Sequence, residues 1–181
     1  MKTKSLLNLL MIVGALTILP HCGGGGGGGG NNTPAQPTTA VLTLSTTVNG
    51  VIPANTIITG YDVTITLPAG VTVKSTAPPQ TDSGVVTATG VAAGSSTTIA
   101  GVYAPAAGAT PGKVRFIVAN GSGFSSGEFC KVTCDIAAGS NPSASDFTLP
   151  TFAASGLVTS PTTSTVDLTG QMTMTETAVI Q

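Results

Sequence analysis

Tryptophan is absent from this 181-residue chain, which holds only two tyrosines and five phenylalanines. Sandwich modules that bind sugars stack exposed aromatic faces on the rings, so few residues here can serve that purpose. Tyr61, Tyr103, Phe116 and Phe129 fall within predicted strands, and Phe124, beside Gly123, is the aromatic read as exposed. Histidine occurs once, at His21, in an N-terminal leader. The body therefore assembles neither a Ser-His-Asp nor a Cys-His arrangement. Charge is scarce as well. Beyond residue 21, four basic side chains (Lys74, Lys113, Arg115, Lys131) stand against seven acidic ones. No basic patch exists, which excludes binding to nucleic acid through phosphate neutralisation. The carboxylates Asp62, Asp82, Glu128, Asp135, Asp146, Asp167 and Glu176 are dispersed, most of them on polar strand faces or in turns. They offer no evident glycosidase pair and no D-x-[DN]-x-[DN]-G calcium loop. The sequence reads as non-enzymatic, with no catalytic residue, no metal site and no cofactor.

What is present begins at the N-terminus. Lys2 and Lys4 precede an apolar run from Leu6 to Leu19 that only Asn8 and Thr17 interrupt. This is the basic and apolar layout of an export signal, shorter than the roughly 20 residues of a membrane-spanning helix. Leu19-Pro20-His21-Cys22 follows, and it resembles a bacterial lipobox, in which the cysteine is acylated and becomes the mature N-terminus. The resemblance departs at His21, where the family carries a small residue. It implies lipid attachment at Cys22, and Gly23 rather than an aspartate resembles the sorting pattern of outer-membrane lipoproteins. The expected location is the bacterial cell envelope. Gly23 to Gly30 is a run of eight glycines, which lose the most backbone entropy on ordering and have no side chain to bury. No strand precedes it and no Gly-Lys-Ser/Thr follows, so it reads as a flexible tether and not a phosphate loop. Residues 1–21 are thus read as signal peptide, with a signal helix, 22–39 as lipidated cysteine and linker, and 40–181 as one domain.

Thr, Val, Ala, Gly and Ser dominate that domain, an exported, β-rich composition. Period-two alternation recurs between Gly, Pro and Asn punctuation. It predicts strands over 41–48, 57–67, 71–73, 85–89, 98–104, 114–119, 127–136 and 165–175. In the clearest of them, Ile57, Tyr61, Val63, Ile65 and Leu67 point one way, and Asp62, Thr64 and Thr66 the other. Asn141 is positioned to cap a brief helix with Pro142 at its first position. Gly121-Ser122-Gly123 reads as a hairpin connection. The expected fold is all-β: an antiparallel β-sandwich or jelly roll of eight to nine strands.

Gly60-Tyr61-Asp62-Val63-Thr64-Ile65-Thr66-Leu67-Pro68-Ala69-Gly70 resembles the early strand of cohesin-type domains. Pro111 to Phe116, Gly123-Phe124, Gly127-Glu128-Phe129 with Cys130 to Thr133, and Asn141-Pro142 with Asp146-Phe147 are similar to that family's middle, in the same order. The resemblance implies a nine-stranded jelly roll of the carbohydrate-binding-module-like kind. It further implies a partner that is a dockerin-like protein or a polysaccharide.

Cys130 and Cys134 share one face of a predicted strand, about 13 Å apart and beyond disulfide reach. They read as small buried hydrophobes, since a C-x₃-C metal pair would lack further ligands. The expected function is that of a membrane-anchored, non-catalytic binding module. The alternative is a structural or adhesive envelope lipoprotein acting through self-association.

Overall fold

The computed structural model describes residues 35–181; the expected signal peptide with its signal helix, Cys22 and the glycine run lie outside the described residues. Among the described residues, ten strands form two antiparallel sheets with almost no helix, a β-sandwich. They are β1 (Thr39–Val48), β2 (Thr56–Thr66), β3 (Val71–Thr72), β4 (Val86–Ala88), β5 (Thr97–Ala104), β6 (Lys113–Phe124), β7 (Glu128–Ile136), β8 (Thr151–Val158), β9 (Ser164–Asp167) and β10 (Met172–Ile180). The first sheet runs β10-β1-β7-β3, with β4 also paired to β7, and the second runs β5-β6-β2-β8-β9.

Alternation builds the core. Leu42 and Leu44 of β1, Val63 and Ile65 of β2, Val114, Phe116 and Val118 of β6, and Phe129 and Val132 of β7 are all essentially inaccessible. Each projects from a strand whose intervening residues are mostly polar or small, so both sheets turn one apolar face inward. Tyr61 lies at the centre, its ring centroid 4.5 Å from that of Phe129 and 5.3 Å from that of Phe124. Its phenol meets Thr46 Oγ1 at 2.9 Å, and Thr46 is a buried polar residue. Cys130 and Cys134 are free and fully buried beside this core.

Several expectations are corrected. The described residues hold ten strands where eight to nine were expected, because 151–158 forms β8 and 165–175 divides into β9 and β10 around a 3₁₀ turn, Thr169–Gln171. Ile57 is half-buried, and Ile58 takes the inward position. The cause is a bulge between Ile58 and Gly60, which inserts Thr59 and shifts the alternation by one residue. Gly121-Ser122-Gly123 lies within β6, so the β6–β7 connection is made further on, at Ser125 to Gly127. The brief helix is a 3₁₀ turn, Ala144–Asp146, capped by Ser143 and not Asn141. Asp146 accepts from the Ser143 backbone N–H at 2.7 Å and closes the capping box. Phe124 is half-buried against Tyr61, not exposed.

Candidate functional site

The bulge that displaces Ile57 also shapes the outer face of the second sheet. Ala119 of β6 pairs with Gly60, and the next pair is Phe124 with Ile58, so Asn120 keeps only its pairing with Thr97 of β5 and Gly121 to Gly123 loop away from β2. Asn120 braces that excursion: its Oδ1 accepts from Ser122 N at 2.9 Å, and its Nδ2 donates to Ser96 Oγ at 3.3 Å. This is turn chemistry at the Asn120-Gly121-Ser122 sequence. Between this wall and β9 lies an open groove of about 680 Å³. Its floor is made of short side chains, Gly60, Ala119, Ala153 and Ser155, with Ile117 on one side and Thr165 and Asp167 on the other. A Cβ on Gly60 would lie 3.0 Å from Ser155 Oγ, so glycine lets β2 and β8 approach under the floor.

The charged groups at the groove are engaged. Arg115 grips Asp62 from the neighbouring strand, with Nε–Oδ1 at 3.0 Å and Nη2–Oδ2 at 2.6 Å. That forked hydrogen bond holds the Asp62 carboxyl below its ordinary value and raises the guanidinium. Thr169 donates its backbone N–H to Asp167 Oδ1 at 2.8 Å, and hydrogen bonding with Thr169 lowers that carboxyl too. Elsewhere Thr76 stabilises ionised Asp82, and Ser143 does the same for Asp146. Glu128 lies 3.7 Å from Lys131. Among the described residues, no group of three or more His, Cys, Asp or Glu side chains is arranged to hold a metal ion. The groove presents shape and a few fixed polar contacts, and its lining does not set a free acid against a free base.

The two central thiols are chemically quiet. Burial raises both, and Cys134 is pushed up to about 12, so neither offers a thiolate near neutrality. Every aromatic side chain of the chain is buried or half-buried. Two motifs distant in sequence do come together: Pro68-Ala69-Gly70 and Asn141-Pro142 with Asp146 line a second hollow of about 400 Å³. Cys22 lies outside the described residues.

One carboxylate differs from the others. Glu176 pairs across the ladder with Leu44, which is fully buried, so it shares the inward face of β10. Both its carboxyl oxygens are buried with no hydrogen-bond partner among the described residues, and desolvation pushes the group up to about 7. Alternation alone ends the last predicted strand at Thr175, which leaves Glu176 outside it and gives no sign of this burial. No protein family, no curated protein and no solved structure matches this chain.

Proposed function

We propose that this is a non-catalytic binding module, cohesin-like and of jelly-roll type, that lipid at Cys22 anchors to the bacterial outer membrane. The observation that carries the reading is the groove across β6, β2, β8 and β9, a concave surface within the usual size of ligand sites. Its small-residue floor and paired charges suit recognition, and anchoring adds a high effective concentration. Of the two partners the resemblance implies, a dockerin-like protein is favoured over a polysaccharide. A sugar needs aromatic faces to stack on, and the aromatics of this chain are turned into the core. Alkyl and backbone contacts from a protein segment make no such demand.

The test is capture from the native extracellular fraction by residues 35–181, with Ala153→Arg as a filled-groove control and insoluble polysaccharides as parallel bait. Ala153 is exposed on the groove floor, so the longer side chain occludes the site while leaving the core intact. A protein retained saturably by the parent and lost with Ala153→Arg is the expected result. Equal retention by both would sink the groove as the binding surface.

The second reading, a structural role through self-association, is favoured by one separate observation: the outer edge of β10 is unpaired among the described residues.

A further inference from the structure

Edge strands are exposed rows of backbone donors and acceptors, and most of those in this sandwich are blunted. The free side of β5 is met by Pro79 to Thr81, through Tyr103 N to Pro79 O at 2.6 Å and Thr81 N to Gly101 O at 3.1 Å. β9 is four residues long, and β3 and β4 are shorter still. β10 is different: nine residues, rich in threonine, with no proline and no lysine. The short turn Ala144–Asp146 packs beside it without hydrogen-bonding its backbone.

The direction of each backbone group along β10 follows from the bonds at its two ends. Thr39 and Gln181 exchange both hydrogen bonds, at 3.1 and 2.8 Å, and Asn49 donates to Gln171 O at 2.9 Å. The register between those ends is unbroken. Residues 173, 175, 177 and 179 therefore bond inward to β1. Met174, Glu176, Ala178 and Ile180 turn their N–H and C=O groups to the open edge. The same residues carry the inward-facing side chains. Glu176 sits midway between Met174 and Ala178 and is the one charged residue of the strand.

We propose that β10 is a homodimerisation edge, joining two copies antiparallel about Glu176, and that protonation of Glu176 licenses the pairing. This rests on the self-association reading, to which it gives a surface and a gate, and is independent of the groove. In this register Met174 faces Ala178 of the second copy, and Glu176 faces its own counterpart. The outer row then sets Thr175 against Thr177, a favourable cross-strand pair. Two inward carboxyls brought side by side cannot both ionise, but one acid and one carboxylate, or two acids, hydrogen-bond each other. Both carboxyl oxygens are closed off from solvent in the single chain, so the side chain turns out toward the edge on pairing and there acquires the partner it lacks. A second copy satisfies this self-complementarity by two-fold symmetry. Inward charge is also a device that keeps edges apart, so the ionised strand stays single.

The groups around Glu176 leave it as the titrating element. β1 contributes no ionisable side chain, and neither does the turn Thr169–Gln171. Ala144–Asp146 contributes Asp146, which stays ionised on Ser143. β7 contributes Cys134, whose burial keeps it protonated.

Residues 35–181 form one compact unit with its own hydrophobic core, so this segment can be studied alone. Sedimentation velocity at about pH 5 and about pH 9 reads the equilibrium on either side of the titration. A dimer at acid pH and a monomer at alkaline pH, with association at least about tenfold tighter in acid, is expected. Glu176→Gln, whose amides pair without a proton, should dimerise equally at both. Ala178→Pro removes an outward N–H without breaking the β1 ladder and should remain monomeric, its far-ultraviolet spectrum unchanged. Should that variant not fold, Glu176→Cys should cross-link to its own counterpart under oxidation, whereas Met174→Cys should not. A parent monomeric at both values overturns the dimer and the self-association reading together. A dimer that persists in Ala178→Pro, or a Glu176→Cys variant that fails to cross-link, overturns β10 as the edge while leaving self-association standing. Pairing that does not respond to pH, or a Glu176→Gln variant that stays pH-dependent or monomeric, overturns the gate.

Discussion

Tyr61 and Glu176 show two outcomes for a polar atom carried into an apolar core. The Tyr61 phenol meets Thr46 at 2.9 Å, so neither hydroxyl is stranded. Tyr61→Phe keeps the ring and its contacts with Phe124 and Phe129 but leaves Thr46 Oγ1 without that partner. It should cost about 1–3 kcal/mol, read as a lower urea midpoint at constant m. Glu176 has no such partner, and its effect is a pH dependence. Its folded value of about 7 exceeds the ordinary 4.5. Between these two values the unfolded chain has lost the proton that the folded chain retains. The unfolded state then binds fewer protons, and stability falls as pH rises from about 4.5 to about 7. Asp62, Asp82, Asp146 and Asp167 act oppositely, since their lowered values add stability above about 3.8 that is lost in stronger acid. A Tm profile, taken dilute enough to keep the chain monomeric, should therefore peak in the mildly acidic range. Glu176→Gln should flatten its neutral side, and an unchanged decline would contradict the assignment.

At the scale of elements, legibility followed side-chain size. β2 announced itself because Val63, Ile65 and Leu67 alternate with Asp62, Thr64 and Thr66, and large apolar residues mark an inward face. β8 did not, for the most buried positions of its inward face, between Phe152 and Val158, are Ala154 and Gly156, which carry almost no periodic signal. Sheet packing demands that smallness. A Cβ on Gly156 would lie 2.9 Å from Ile57 O and 2.7 Å from Leu168 Cδ1. Gly156→Ala should accordingly destabilise by about 1–3 kcal/mol, measured by chemical denaturation, with loss concentrated in the β2–β8 pairing by hydrogen exchange. The groove was hidden for a related reason. It depends on one inserted residue, Thr59, and a bulge changes phase without changing composition. Chemistry-bearing side chains were visible one by one in the sequence, whereas the Arg115–Asp62 fork arises only from the β2–β6 register, which pairs Thr64 with Arg115 and Asp62 with Ile117.

For the molecule as a whole, the proposed anchoring has to hold at a surface a sandwich with no membrane-spanning helix among its described residues. The outer face of the first sheet is largely polar, with Thr43, Ser45, Thr173, Thr175 and Thr177, while on the second Asp62, Arg115 and Thr165 stand among Ala100, Val102, Ile117 and Ala153. Among the described residues, the large exposed apolar side chains of these faces are Val102, Ile117 and Val179, short of the broad patch that would seat a domain on lipid. Attachment would then come from outside the sandwich, and Cys22 is the residue whose sequence context supplies it. A single acyl chain gives marginal binding, so stable retention calls for the several chains that a processed lipobox cysteine carries. Cys22→Ala should move the protein from the membrane fraction to the soluble fraction of the native host and abolish incorporation of labelled palmitate. The 35–181 sandwich should keep its denaturation midpoint, because no core residue is altered. A Cys22→Ala protein still sedimenting with membranes would transfer anchoring to the leader or to the domain itself. Release with intact folding would make the sandwich cargo of its lipid, leaving recognition to the groove and pairing to β10.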